Sequence, residues 1–112
     1  MNDDLEGALT AYLKRMDEEG YFEAHEVLEE AWHPLRLSDH PLKNLVKGLI
    51  NGAVSFEHIK RDRKDAGRKA LRVMESYERH KGLYSDEIAF ATLFKEACEK
   101  IEILKLSHPE VF

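Results

Sequence analysis

Leu42, Leu45, Val46, Leu49, Ile50, Ala53, Val54 and Phe56 recur at steps of three and four and make the broadest apolar arc in the chain. Apolar residues at that spacing share one side of an α-helix. The segment therefore reads as the central helix of a helical fold, opened by Pro41, whose fixed φ suits a first helical turn. Gly48 and Gly52 stand four apart on it and suit a close helix crossing, although each costs about 1 kcal/mol of helix propensity relative to Ala.

The same spacing places the other helices. Leu5, Leu9, Tyr12, Leu13 and Met16 follow the capping-type residues Asp3 and Asp4 and mark a first helix that Gly20 is placed to end. Tyr21 to about His33 reads as a second amphipathic helix stopped by Pro34, and the segment from Pro34 to Pro41, with Ser38 and Asp39, reads as a loop. Ala66, Ala70, Val73, Met74 and Tyr77 mark a fourth helix ending near Gly82. Ser85 is placed to cap a fifth, with the stripe Ile88, Ala91, Phe94, Cys98, Ile101 and Leu104. Val, Ile and Thr together number only twelve, so composition also favours helix over strand. The expected fold is all-α, a single antiparallel bundle of about five helices over residues 1–112.

At 112 residues, folding buries roughly two-thirds of the unfolded surface, enough for a core without disulfides or a structural metal. Cys98 is the one cysteine, so neither an internal disulfide nor a CxxC motif exists, and it reads as a small buried hydrophobe. The longest apolar stretch, around Gly48 to Val54, falls short of the ~20 residues of a spanning helix. The opening Met1-Asn2-Asp3-Asp4 is the reverse of a basic signal-peptide start. A cytoplasmic protein with no membrane partner is expected.

The net charge of −5 is unevenly spread. Residues 1–30 carry ten acids against two bases, whereas residues 60–73 carry seven bases against Asp62 and Asp65. That basic stretch holds no aromatic ring to stack a base, and the acidic remainder repels a nucleic-acid backbone, so nucleic acid is disfavoured as a partner. The segment reads as a solvated helix junction that complements the acidic helices, within the chain or across the interface of a homo-oligomer.

The second helix carries the chemistry. Plotted at about 100° per residue, Tyr21, Phe22, Ala24, Leu28, Ala31 and Trp32 share a broad apolar arc, and His25 and Glu29 fall inside it. Glu23, Glu26, Glu30 and His33 gather on the opposite side. An ionisable pair at i and i+4 between Phe22 and Trp32 is costly to bury unless its members bond each other or a third group. On the third helix Asn51, Val54 and His58 align, while Glu57 enters the apolar zone. If the two helices are neighbours, Asn51, Glu57 and His58 are the natural partners of His25 and Glu29. Trp32 and Glu26 stand at the edge of this cluster.

No complete catalytic motif is present. His25-Glu26-Val27-Leu28-Glu29 departs from the zinc-peptidase HExxH at its last position, and a three-ligand open site built on His25 and Glu29 needs a third group such as His58. The single Glu-x-x-His, Glu30 to His33, lies on the polar side and argues against a ferritin-like di-iron centre. GxxxxGK[ST], GxGxxG after a strand and GxSxG are all missing. A divalent metal is the one cofactor these residue types point to.

The run from Gly20 to Trp32, GYFEAHEVLEEAW, followed by Lys47-Gly48-Leu49-Ile50-Asn51-Gly52-Ala53 and His58, resembles the domain-of-unknown-function 309 family, whose hallmark is a "yfEaHEvlEe.W" helix followed by a "GLIq.A…H" helix. The resemblance covers about Gly20 to Leu71. It departs at Asn51, where the family has glutamine, at Gly52, and at Ala66-Gly67, which reverses a Gly-Ala pair. It implies a compact all-helical domain whose characteristic polar residues match His25, Glu26, Glu29, Asn51 and His58, and it implies no activity. Two functions follow as expectations: a small-ligand or divalent-metal site formed by His25, Glu29, Asn51 and His58, or an interaction and assembly module in which the same cluster only specifies packing.

Overall fold

A computed structural model describes residues 4–112. Its helices are α1 (Leu5–Asp17), α2 (Tyr21–Leu37), α3 (Lys43–Arg61), α4 (Ala66–His80) and α5 (Ala91–Leu106), with a short 3-10 turn at Lys81–Leu83. The described residues contain no strand, as composition predicts. The broad apolar arc makes α3 the centre: it packs against α2 and α4, while α1 lies against α2 and α5. One cluster of buried side chains draws Leu9 and Met16 from α1, Leu28 from α2, Leu49 and Phe56 from α3, Met74 from α4 and Ile101 from α5. No helix among the described residues is long and apolar enough to cross a membrane.

Buried polar atoms in this core are bonded to backbone. The fully buried Tyr12 hydroxyl donates to the Leu49 carbonyl at 2.7 Å, and Ser55 Oγ donates to the Ala70 carbonyl at 2.7 Å, pinning α3 to α1 and α4. The glycines of α3 serve two different neighbours. A Cβ on Gly48 would lie 3.2 Å from the Tyr77 Cα of α4, and one on Gly52 would lie 2.6 Å from the Ile101 Cδ1 of α5.

Three local expectations are corrected. First, α2 does not stop at Pro34 but runs through it to Leu37. Pro34 deprives only the Glu30 carbonyl of a helical donor, and the following turn is heavily bonded. Ser38 N–H and Oγ both donate to the Pro34 carbonyl, at 3.1 and 2.9 Å. Asp39, left-handed at φ 54°, closes a Schellman pattern with His40 N–H on the Leu35 carbonyl at 2.9 Å. The loop shrinks accordingly to residues 38–42.

Second, the left-handed residue that ends α1 is Glu19 (φ 60°), not Gly20, which has an ordinary negative φ at the start of α2. Asp4 caps α1 by accepting from Gly7 N–H at 3.0 Å, and Asp3 lies outside the described residues. Third, Ser85 begins a turn and not a helix. Its Oγ accepts from Glu87 N–H at 3.3 Å, and α5 starts only at Ala91 after a left-handed Phe90. Ile88 still packs on the core from outside the helix.

Candidate functional site

α2 and α3 run antiparallel, so the start of one meets the end of the other. Tyr21 stacks near Phe56 at 5.7 Å, and at the far end the Trp32 indole N–H donates to the Lys43 carbonyl at 3.1 Å. Between them His25 meets Glu57. The imidazole Nδ1 lies 3.3 Å from Glu57 Oε1, and the two side chains are only 17% and 16% exposed. Both atoms are sealed from solvent, and their approach lies off the line a good hydrogen bond requires, so each lacks a bonded partner. A carboxylate oxygen facing a buried ring nitrogen places the imidazole proton on that nitrogen, because two lone pairs in contact repel. Nε2 is then the acceptor when His25 is neutral.

The other two contacts of this unit define its direction. Glu57 Oε2 receives Arg61 Nη2 at 2.9 Å along α3, so the carboxylate bridges a cation and the imidazole. On the outer side His25 Nε2 lies 4.0 Å from Glu29 Oε1, and the exposed Phe22 ring meets the imidazole edge-on at 5.2 Å. The result is an imidazole whose inner nitrogen faces one carboxylate and whose outer nitrogen is turned toward another.

Glu29 does not sit inside the apolar arc as its helical angle predicts. Its side chain is 39% exposed and lines a shallow depression of about 290 Å³ with Glu26, Glu30 and His33. Glu26 itself is exposed and faces a second depression beside Arg15 of α1. The wet side of α2 is thus a continuous acidic surface with His25 at its inner margin.

The expected four-residue cluster of His25, Glu29, Asn51 and His58 divides in two. His58 lines a cavity against Ala66 and Lys69 of α4, and the half-buried Asn51 belongs to the same helical row as Val54 and His58. Glu57, one residue before His58 and about 100° around the helix, takes the place beside His25. The metal triad of His25, Glu29 and His58 is therefore not assembled, and among the described residues no three His, Cys, Asp or Glu side chains are grouped to hold a metal ion. Trp32 is also apart from His25. It lies two turns along α2, about 10 Å, where Lys47 Nζ and the Arg36 guanidinium stand 4.4 and 5.3 Å from its ring centre.

A larger open depression, about 550 Å³, lies elsewhere, between α4, the 3-10 turn and α5, with Tyr77, Lys81, Tyr84, Cys98 and Glu102 among its lining. Sequence reading missed it because the α4–α5 register is not encoded in either helix's own period. Three of its polar side chains are already paired with carboxylates or with each other. Tyr77 donates to Glu102 at 2.6 Å, and Lys81 reaches Glu78 at 2.7 Å and Glu102 at 3.2 Å. Burial pushes the Cys98 thiol up to about 11, so it stays protonated and a poor nucleophile. We place the candidate chemistry at His25, whose outer Nε2 faces Glu29 Oε1 at 4.0 Å, and not in the larger depression.

Neither curated proteins nor solved structures match the chain. The family model described as Domain of unknown function (DUF309) matches residues 9–70, more than half of the 112-residue chain, and spans α1 through the first turns of α4. That stretch contains every residue of the His25–Glu57 unit and its neighbours, and the chain belongs to the DUF309 family.

Proposed function

We propose that the outer face of α2 is a divalent-cation site in which His25 Nε2 and Glu29 are the protein ligands and solvent completes the coordination. The observation that supports this reading is the division of labour on one imidazole. Glu57 Oε1 lies 3.3 Å from Nδ1, on the side where metal-bound histidines meet the carboxylate that fixes tautomer and ring orientation. Nε2 faces Glu29 Oε1 at 4.0 Å, a separation that a single ion with bonds of about 2.1 Å to each atom can span. Glu26, Glu30 and His33 add negative potential and further donors at the margin. Two protein ligands make an open, exchangeable site and not a structural one.

Calorimetric titration with Zn²⁺, and Co²⁺ absorption for ligand type, test this. Saturable one-to-one binding that disappears in His25→Ala and Glu29→Gln is expected. Binding unchanged by His25→Ala, or no saturable binding at all, rejects it.

A second reading, an assembly module, draws on a different observation. Leu83, Phe90 and Ile103, in the stretch from the 3-10 turn through α5, are 46%, 41% and 59% exposed. Scattered exposed apolar side chains are ordinary, but several in one stretch of a small bundle suit a covered surface. Light scattering behind size exclusion separates the readings: a dimer dispersed by Ile103→Glu, with no metal uptake, favours assembly.

A further inference from the structure

The α3–α4 junction holds a recess of about 130 Å³, lined by His58, Arg63, Lys64 and Lys69 together with Glu57 and Arg61 of the His25 unit. Glu57 is already engaged by Arg61 at 2.9 Å, so that pair contributes no net charge. Arg63, Lys64 and Lys69 make no ion pair among the described residues. Other bases divide between the two states: Lys81 and Lys105 share Glu78 and Glu102, Lys100 reaches Asp17 and Arg15 reaches Glu18, whereas Lys14, Arg72 and Lys95 pair with no acid among the described residues. What marks Arg63, Lys64 and Lys69 is that they line one recess. The chain has 22 acids for 17 bases, so scarcity does not explain three uncompensated cations around one recess. Held together in that way they repel one another, and the repulsion is relieved by an anion placed among them.

We propose that this recess binds the phosphoryl group of a small phosphorylated molecule. The volume of about 130 Å³ is near the ~150 Å³ of a cavity that takes one benzene-sized molecule, room for one tetrahedral oxyanion and not for a large ligand. Arg63 presents a planar fork that fits paired phosphate oxygens, and Lys64 and Lys69 add point charges. The first turn of α4 adds to the same sign of potential. It contains no acidic residue, and the cap residue Asp65 spends its carboxylate on Arg68 at 3.0 Å and caps no backbone N–H. A nucleic acid is a poorer fit: the recess has no phenyl, phenol or indole ring in its lining, and the net charge of −5 opposes a polyanion.

The test is an NMR titration of the full chain with inorganic phosphate and with glycerol 3-phosphate, sodium chloride being exchanged to hold ionic strength constant. Saturable shifts confined to the His58 ring and to residues 61–69 are expected for both probes. The variant R63Q/K64Q/K69Q, whose altered side chains are all exposed, should keep the melting temperature and weaken phosphate about tenfold or more, since bonds to charged groups are lost. The surface control Lys95→Gln should bind as the parent does. Non-saturating shifts, or equal responses in the triple variant and the parent, overturn the proposal. So does a single-stranded oligonucleotide that binds through these residues while glycerol 3-phosphate does not, which assigns the recess to nucleic acid. Zn²⁺ uptake at His25 is measured separately, so a failure there leaves the phosphate result standing and the reverse is equally true.

Discussion

Nδ1 of His25 and Oε1 of Glu57 face each other at 3.3 Å across the α2–α3 interface, each shielded from water and neither bonded to another group. Glu57 thus stands between two groups, with one oxygen against the imidazole and the other on the Arg61 guanidinium at 2.9 Å. The removal of such a partner leaves buried polar atoms without compensation, which costs more than the pair itself contributes.

Glu57→Ala is therefore expected to lower unfolding free energy by about 1–3 kcal/mol, read from urea denaturation. Glu57→Gln keeps an acceptor for Nδ1 and should lose less. In the metal titration Glu57→Gln should weaken Zn²⁺ by about 10- to 100-fold, the usual effect of changing the carboxylate behind a metal-bound histidine. Zn²⁺ binding indifferent to Glu57→Gln would remove its orienting role.

Gly52 and Ile101 are coupled sites. A Cβ at Gly52 would meet Ile101 Cδ1 at 2.6 Å, and Ile101 is fully buried, so the atom has nowhere easy to go. Gly52→Ala should destabilise by about 1–2 kcal/mol despite better helix propensity. Ile101→Val alone deletes the obstructing methyl and should cost about 0.5–1.5 kcal/mol. The double variant should be more stable than the sum of the two changes; strict additivity in thermal unfolding would contradict the contact.

Acid should weaken the fold in two windows. Burial and the nearby Arg79 hold His80 below the ordinary 6.5, so above 6.5 it is neutral in both states and its contribution is complete. As pH falls below 6.5 the unfolded chain takes up the proton first, and stability declines. Glu78 and Glu102 follow the same sign lower down. Burial favours their neutral forms, but Lys105 and Lys81, joined at Glu102 by the Tyr77 hydroxyl, outweigh it and hold both carboxyls below 4.5. Their support is present above 4.5 and is lost as pH falls through the lowered values. The side chains are 39% and 44% exposed, so each contributes only about 0.5–1 kcal/mol after screening. Glu102→Gln should flatten the stability profile below 4.5 without altering it near 6; an unchanged acid limb would disprove the assignment.

Trp32 ties the end of α2 to the start of α3 through its indole N–H on the Lys43 carbonyl at 3.1 Å, with Lys47 over the ring. Trp32→Phe keeps most of the apolar area and loses the bond, for an expected cost of about 1 kcal/mol in denaturant unfolding. The effect on Zn²⁺ affinity should be nil, because Trp32 stands two turns from His25. Impaired metal uptake in this variant would place the indole in the site after all.

The helices were legible because their evidence is local. Apolar residues at steps of three and four report which side of each helix is buried wherever the partners lie, and an imidazole amid Phe22, Ala24 and Leu28 announces an anomaly in its own helix. From that alone α3 could be identified as the centre, His25 as the residue needing an explanation, and Glu57 among its candidate partners. The same local rule misjudged Pro34, because the Schellman turn at Asp39 and the Trp32 anchor act downstream of the penalty it counts. It also merged Asn51 and His58 with His25, since angle along one helix does not say which neighbour a row meets. Antiparallel packing of α2 on one flank of α3 and α4 on another gave Glu57 to His25 and turned His58 toward Lys69. Tertiary structure alone decided that division, and with it the gathering of Arg63, Lys64 and Lys69 around one recess. Which side chains converge from different helices depends on relative rotation and axial register, and those are set by the summed fit of the whole core.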